Sequence, residues 1–76
     1  MNFKVILVEY NSGHHYYLTF IGFVNGKETL RWSDEIAVRN FVDELRLVFA
    51  AGNLELNVEM DLQQTYREYN GKYVKW

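Results

Sequence analysis

The pattern of apolar and polar positions predicts one helix set among strands. Between Ser33 and Gly52, apolar side chains recur every three or four residues and fall on one stripe. Ser33 is placed to cap the first free amides, and Gly52 to supply a left-handed stop. The segment is therefore predicted to be one amphipathic helix that lies on a sheet. Its stripe comprises Val38, Phe41, Val42, Leu45, Val48 and Phe49.

Three strands are predicted before the helix. Phe3–Tyr10, His15–Val24 and Lys27–Trp32 are rich in Val, Ile and aromatic residues, which favour strands. The first two are separated by the turn Asn11–His14. Asn25-Gly26 separates the next two, and both of its residues tolerate the positive φ of a type I′ hairpin turn. This part of the chain is therefore an antiparallel meander.

Two further strand regions are predicted after the helix. Leu54–Leu62 alternates apolar with polar residues, as in a half-buried strand with an acidic outer face. The short turnaround at Gly52-Asn53 makes this fourth strand roughly parallel to the third, and we place it beside the first, in the order 3-2-1-4. Asn70-Gly71 lies between Tyr66–Tyr69 and Lys72–Trp76 and predicts a short terminal hairpin.

The predicted fold class is α+β, with the order βββαββ in a single domain over residues 1–76. A chain of 76 residues buries roughly 60% of its unfolded surface, which is a modest core. Its hydrophobic content of 49% is that of a globular chain. No cysteine is present, so neither disulfides nor thiolate metal sites are available.

The turns predict a register, and the register predicts two faces. The predicted cross-strand pairs are Phe23 with Glu28, Ile21 with Leu30, Thr19 with Trp32, Val8 with Tyr17 and Ile6 with Thr19. One face carries Ile6, Val8, Tyr10, Tyr17, Ile21, Phe23, Leu30 and Trp32. We assign the helix to this face because Trp32 leads directly into the first helical turn. The opposite face carries Phe3, Val5, Leu7, Tyr16, Leu18, Phe20 and Val24, rimmed by Lys27, Thr29 and Arg31.

One helix covers only one face of the sheet, so the opposite face, which is apolar and aromatic, stays uncovered. A large exposed apolar surface usually marks an interaction site. Three interpretations of this face remain open. It is covered by the C-terminal aromatic residues, it pairs with a second copy as a homodimer, or it binds another molecule. The C-terminal aromatic residues are Tyr66, Tyr69, Tyr73 and Trp76. The candidate partner-binding residues are Tyr16, Leu18, Phe20 and Arg31 on this face, and Glu55, Glu59 and Asp61 on the acidic strand.

A protein partner is favoured over a nucleic acid. For a nucleic acid, Tyr16 and Phe20 would stack on bases while Arg31 and Lys27 contact phosphates. The formal net charge of −2 argues against this, since nucleic-acid binding needs a basic face. The carboxylates of the acidic strand are spaced roughly like the phosphates of a nucleic-acid strand, so an inhibitor that mimics nucleic acid could use them. An ordinary strand face exposed to solvent has the same pattern.

No catalytic, cofactor or metal site is predicted. His14 lies in the turn and His15 begins the next strand, and adjacent residues of an extended chain point to opposite sides, so the two do not chelate one ion together. Ser12 lies in a turn and no nucleophile elbow or phosphate loop is present. We therefore expect a non-catalytic protein rather than a small enzyme or metal protein.

These observations predict a small protein-binding module, of the regulatory or inhibitory kind that phages and mobile elements encode. We expect it in the cytoplasm, because its start has no signal-peptide pattern. No apolar run is long enough to cross a bilayer, so no membrane partner is expected.

Overall fold

The computed structural model describes all 76 residues and shows an α+β fold with a mixed five-stranded sheet. The strands lie in the order β3-β2-β1-β4-β5, and β4 is parallel to β1, so the predicted placement of the fourth strand is confirmed. The elements are β1 (Asn2–Ser12), β2 (His15–Val24), β3 (Lys27–Trp32), α1 (Glu35–Ala51), β4 (Asn57–Tyr69) and β5 (Lys72–Lys75).

The helix ends differ from the prediction by one residue each. Asp34, not Ser33, is the N-cap: its backbone is extended and its Oδ1 accepts a 2.8 Å hydrogen bond from the Ala37 amide. A carboxylate there also interacts favourably with the positive end of the helix dipole. Gly52 has φ −90°, so the left-handed residue that ends the helix is Asn53, with φ 54°.

The helix lies on the face opposite to the one we assigned, and a β-bulge explains why. Phe23 pairs with Glu28 as predicted, but Gly22 then pairs with Leu30, so Thr29 is an extra residue in β3. The extra residue turns Leu30 and everything after it to the other side of the sheet. Trp32 still leads into the helix, and it therefore carries the helix to the other face.

The first hairpin is shifted by two residues from the predicted register. Val8 pairs with Thr19 and Ile6 with Ile21, because the turn is formed by Gly13 and His14. Since the side-chain period of a strand is two, this shift leaves the predicted faces of β1 and β2 unchanged.

The main core lies between α1 and the sheet. Its buried residues are Phe3, Val5, Phe20, Val38 and Val42. The Trp32 ring packs on Gly22, where an added Cβ would lie 2.8 Å from two of the ring carbons. Burial of these side chains supplies most of the driving force for folding. We call this side of the sheet the helix face.

The opposite side is the concave face, because the sheet curls toward it. The Tyr73 ring of β5 lies 5.8 Å from the Phe23 ring of β2, although three strand spacings, about 14 Å in a flat sheet, separate these strands. Tyr73 also donates a hydrogen bond to Glu28 of β3, so the two edge strands are joined across the curl. The pairing of β4 with β1 is interrupted after Asp61, where Leu62–Gln64 have no partner on β1.

Candidate functional site

The helix covers only part of the helix face. A helix of 17 residues is about 26 Å long, whereas the molecule extends over 47 Å. At the open end, where the hairpins β1–β2 and β4–β5 meet, strand alternation places five exposed apolar side chains on this face. We call them the aromatic patch: Tyr16, Leu18, Tyr69, Val74 and Trp76.

A neutralised ion pair lies at the centre of the aromatic patch. Arg67 donates to Glu9 at 2.6 Å, and its guanidinium carbon lies 3.8 Å from the centroid of the Trp76 ring. Glu9 is the cross-strand partner of Leu18, and Arg67 is the partner of Val74. The pair is therefore flanked by apolar side chains on both sides, and the patch carries little net charge.

The patch borders an open strand edge. β3 pairs with β2 only at Phe20–Val24, so His15–Thr19 has a neighbouring strand on one side only. We call this segment the open edge. Exposed edges are the sites at which sheets recruit additional strands.

Of the predicted sheet-face residues, two lie in the aromatic patch and two do not. Tyr16 is 61% exposed and Leu18 39% exposed. Phe20 is only 8% exposed because the helix covers it, so the expectation that it lies on an uncovered face is wrong. Arg31 lies on the concave face, where it pairs with Glu28 at 3.1 Å. The predicted stacking platform of Tyr16, Phe20 and Arg31 therefore does not form.

The predicted acidic row does not form a free anionic surface. Glu55 precedes β4, while Glu59 pairs with Lys4 at 3.5 Å. Asp61 accepts a 2.7 Å hydrogen bond from the Tyr66 hydroxyl and pairs with Lys75 at 3.3 Å. The Tyr66 hydrogen bond, with help from Lys75, lowers the pKa of Asp61, and the same bond raises the pKa of Tyr66 to about 12.

C-terminal aromatic residues do cover a sheet face, but it is the concave one. Tyr66 and Tyr73 pack on the buried cluster of Ile6, Val8 and Ile21. Burial and the bond to Glu28 raise the pKa of Tyr73, and that bond is the main cause that lowers the pKa of Glu28.

A cavity of about 520 Å³ opens at one end of the concave face, with Phe23, Tyr66 and Tyr73 in its wall. The charged residues at its rim, Lys4 and Glu59, are paired with each other. The phenolic groups of the wall are also engaged, with Asp61 and Glu28. The cavity therefore offers no free charge that would orient a ligand.

No metal-binding cluster is assembled. The structure brings together no group of three or more His, Cys, Asp or Glu side chains that would hold a metal ion. His14 and His15 are exposed at the hairpin turn, next to Ser12. The one helix is too short and too polar to cross a membrane.

Tyr69, Val74 and Trp76 were not identified as binding residues from the sequence: Tyr69 and Trp76 were treated as a possible cover for the open face, and no assignment was made for Val74. The turn at Asn70-Gly71, where both residues have positive φ, could have indicated their position. A two-residue turn pairs Arg67 with Val74, and alternation then places Tyr69 and Trp76 on the same face as Val74.

Comparison with known proteins adds no relative to this description. No protein-family model, no curated protein and no solved structure matches the chain. What the protein does must therefore be inferred from its surfaces.

Proposed function

We propose that this chain is a small non-catalytic protein-binding module that recognises its partner through the aromatic patch. The observation that carries the proposal is the exposure of Tyr16, Tyr69 and Trp76 on the part of the helix face that α1 leaves open. Tyr and Trp are enriched at protein interfaces, where they dominate the binding energy.

The geometry of the patch suits recognition of a folded surface. Four of its five side chains lie on paired strands, and the amide of the fifth, Trp76, donates a hydrogen bond to the Thr65 carbonyl, so little backbone entropy is lost when a partner binds. Trp76 is held by the Arg67 guanidinium on its ring, and Arg67 is in turn held by Glu9. Such preorganised aromatic anchors favour a partner with a complementary apolar surface.

A nucleic-acid strand is the alternative occupant, and the charges argue against it. Single-strand binding combines stacking aromatic residues with a basic groove that follows the phosphates. Arg67 within the patch is neutralised by Glu9, and Arg31 faces the other side of the sheet. With a formal net charge of −2, the chain offers little attraction to a polyanion.

The module would act by occupying a surface of its partner. A regulatory or inhibitory role, of the kind that small phage and mobile-element proteins perform, fits a chain whose distinctive chemistry is one interaction surface. The acidic strand contributes less than the sequence suggests, because Lys4 and Lys75 neutralise Glu59 and Asp61.

The test compares a patch variant with a matched control. The patch variant carries Tyr16→Ser and Trp76→Ser, and the control carries Ile36→Ser and Leu47→Ser on the outer side of the helix. All four side chains are more than half exposed, so both variants should fold like the wild type, as checked by circular dichroism and thermal melting. Each protein is immobilised and used to capture partners from cell lysate with and without nuclease.

We expect a captured protein that the control retains and the patch variant loses by at least tenfold, which corresponds to about 1.4 kcal/mol of binding free energy. Nuclease should leave the captured amount unchanged. Capture that disappears with nuclease would contradict the proposal and favour the nucleic-acid alternative. Equal capture by the patch variant and the control would contradict it as well.

A further inference from the structure

We infer that the open edge, His15–Thr19 of β2, pairs antiparallel with the same segment of a second copy of this chain. The two sheets would then form one continuous sheet across a two-fold axis. This inference goes beyond the proposed function, since it rests on the unpaired backbone groups of a strand edge, to which the contacts of Tyr16 and Leu18 only add.

The backbone of the open edge is free to accept a strand. β1 pairs with this segment without any irregularity, from Val8 with Thr19 to Ser12 with His15. None of the backbone hydrogen bonds outside the helix and strands reaches His15–Thr19. A regular ladder with one unoccupied side is the template that strand addition requires.

The open edge also lacks the features that keep other edges from pairing. Proteins protect edge strands with charged residues, proline or bulges. β3 has a bulge at Thr29 and carries Lys27, Glu28 and Arg31, whereas β5 has only four residues, two of them lysines. In contrast, no Asp, Glu, Lys, Arg or Pro occurs anywhere in Asn11–Gly26. The one unprotected edge is therefore the one that we expect to pair.

The segment is complementary to itself. Antiparallel pairing centred on Tyr17 uses all five residues and places Leu18 of each copy opposite Tyr16 of the other. Aromatic and aliphatic residues in directly opposite positions stabilise a sheet. Tyr17 then lies opposite Tyr17 on the concave face, where it already stacks on Tyr10 with ring centroids 5.0 Å apart. Such a two-fold contact is the usual form of a homodimer interface.

The two-fold axis in this arrangement is perpendicular to the sheet, so both helix faces lie on the same side. The aromatic patches of the two copies meet at Tyr16 and Leu18 and form one larger apolar surface. A strand pair of this length buries less than the roughly 1,200 Å² of a standard interface. The dimer is therefore expected to exchange with monomer as concentration changes.

Cysteine cross-linking tests the pairing directly, because the chain contains no cysteine of its own. In a pair centred on Tyr17, the two copies of residue 17 lie opposite each other within disulfide distance. We expect Tyr17→Cys to form a disulfide-linked dimer at least tenfold faster than Leu47→Cys on the exposed side of the helix. Equal rates for the two variants would overturn the inference.

A charge swap provides a second test that does not depend on oxidation. Tyr17→Lys and Tyr17→Glu each place like charges opposite one another, so each variant alone should be monomeric where the wild type dimerises. Mixing the two should restore a dimer with one copy of each, as measured by sedimentation velocity and native mass spectrometry. Circular dichroism of each variant checks that it is folded.

A wild type that stays monomeric up to about 1 mM, well above the micromolar range of specific complexes, would contradict the inference. Failure of the mixture to dimerise would also contradict it. Neither result bears on the proposed function, because residue 17 faces the concave side and lies outside the aromatic patch. Conversely, loss of partner capture by Trp76→Ser alone, which lies outside the open edge, without any change in dimerisation would leave this inference intact.

Discussion

At the scale of single residues, Phe20 shows how much depends on which side of the sheet the helix occupies. The same aromatic side chain would be a binding residue on an open face and is a core residue beneath α1. In the structure it packs in one cluster with Phe3, Val5, Val38 and Val42. Its neighbours on the same face, Leu18 and Tyr16, are progressively more exposed because they lie beyond the end of the helix.

Phe20→Ser should therefore destabilise the fold severely. Removal of a buried aromatic side chain costs about 3–5 kcal/mol, and the new hydroxyl adds the cost of an unsatisfied polar group. A domain of this size has roughly 5 kcal/mol of stability, so the variant should be largely unfolded. Urea denaturation measures the loss, with Tyr16→Ser as the control that should change stability by less than about 1 kcal/mol. A stable Phe20→Ser protein would place this ring outside the core.

At the scale of the elements, the bulge in β3 decides the architecture. Thr29 is the extra residue, and its hydroxyl donates a 2.9 Å hydrogen bond to the carbonyl of Lys27, which fixes the bulged conformation. Trp32 consequently packs on Gly22 and meets Phe3 and Phe41 in the core.

Deletion of Thr29 tests this role. Without the extra residue, a regular ladder keeps Leu30 opposite Gly22 and Trp32 opposite Phe20, so the Trp32 ring keeps its contacts with Phe3 and Phe41. We therefore expect the deletion variant to keep a cooperative thermal transition, as Thr29→Ala should with a loss of about 1 kcal/mol. A deletion variant that loses this transition would refute the description of Thr29 as the extra residue of the bulge.

The elements themselves were predictable because their signals are local. Asn25-Gly26 and Asn70-Gly71 both adopt the positive φ values that their turns require, and strict alternation identified the strand that follows the helix. The side of the helix was not predictable, because a bulge at Thr29 has no sequence signature and one inserted residue reverses every later side chain. The aromatic patch was predicted only in part for the same reason: Tyr16 and Leu18 stay exposed whereas Phe20 does not.

At the scale of the whole molecule, the curl of the sheet separates a closed side from an open one. Tyr73 joins the edge strands through Phe23 and Glu28, and with Tyr66 it covers the apolar centre of the concave face. The aromatic residues on the opposite face of the same hairpin remain exposed. The C-terminal hairpin therefore both closes one face and supplies three exposed apolar residues, Tyr69, Val74 and Trp76, to the other.

Removal of the Tyr73 hydroxyl should weaken this closure in a pH-dependent way. Tyr73→Phe should cost about 1 kcal/mol at neutral pH, the net value of one hydrogen bond. The lowered pKa of Glu28 means that its contribution is present above the ordinary value of 4.5 and is lost as the pH falls below it. The raised pKa of Tyr73 means that its contribution is present below the ordinary value of 10.0 and is lost as the pH rises above it.

The stability difference between the wild type and Tyr73→Phe should therefore be greatest between pH 4.5 and 10.0 and shrink on both sides. Urea denaturation across this range measures it. Tyr69→Phe is the control, since Tyr69 is exposed and its variant should parallel the wild type at every pH. A Tyr73→Phe difference that does not change with pH would show that the bond to Glu28 contributes nothing to the closure.

The central claim is that α1 lies on the face that carries Phe20 and covers only part of it, so that the aromatic patch stays exposed. Nuclear Overhauser effects between the methyl groups of α1 and the side chains of β1 and β2 measure it most directly. The account predicts strong effects from Val38 and Val42 to the Phe20 and Phe3 rings. Strong effects from Val38 and Val42 to Ile6 and Ile21 instead would contradict it.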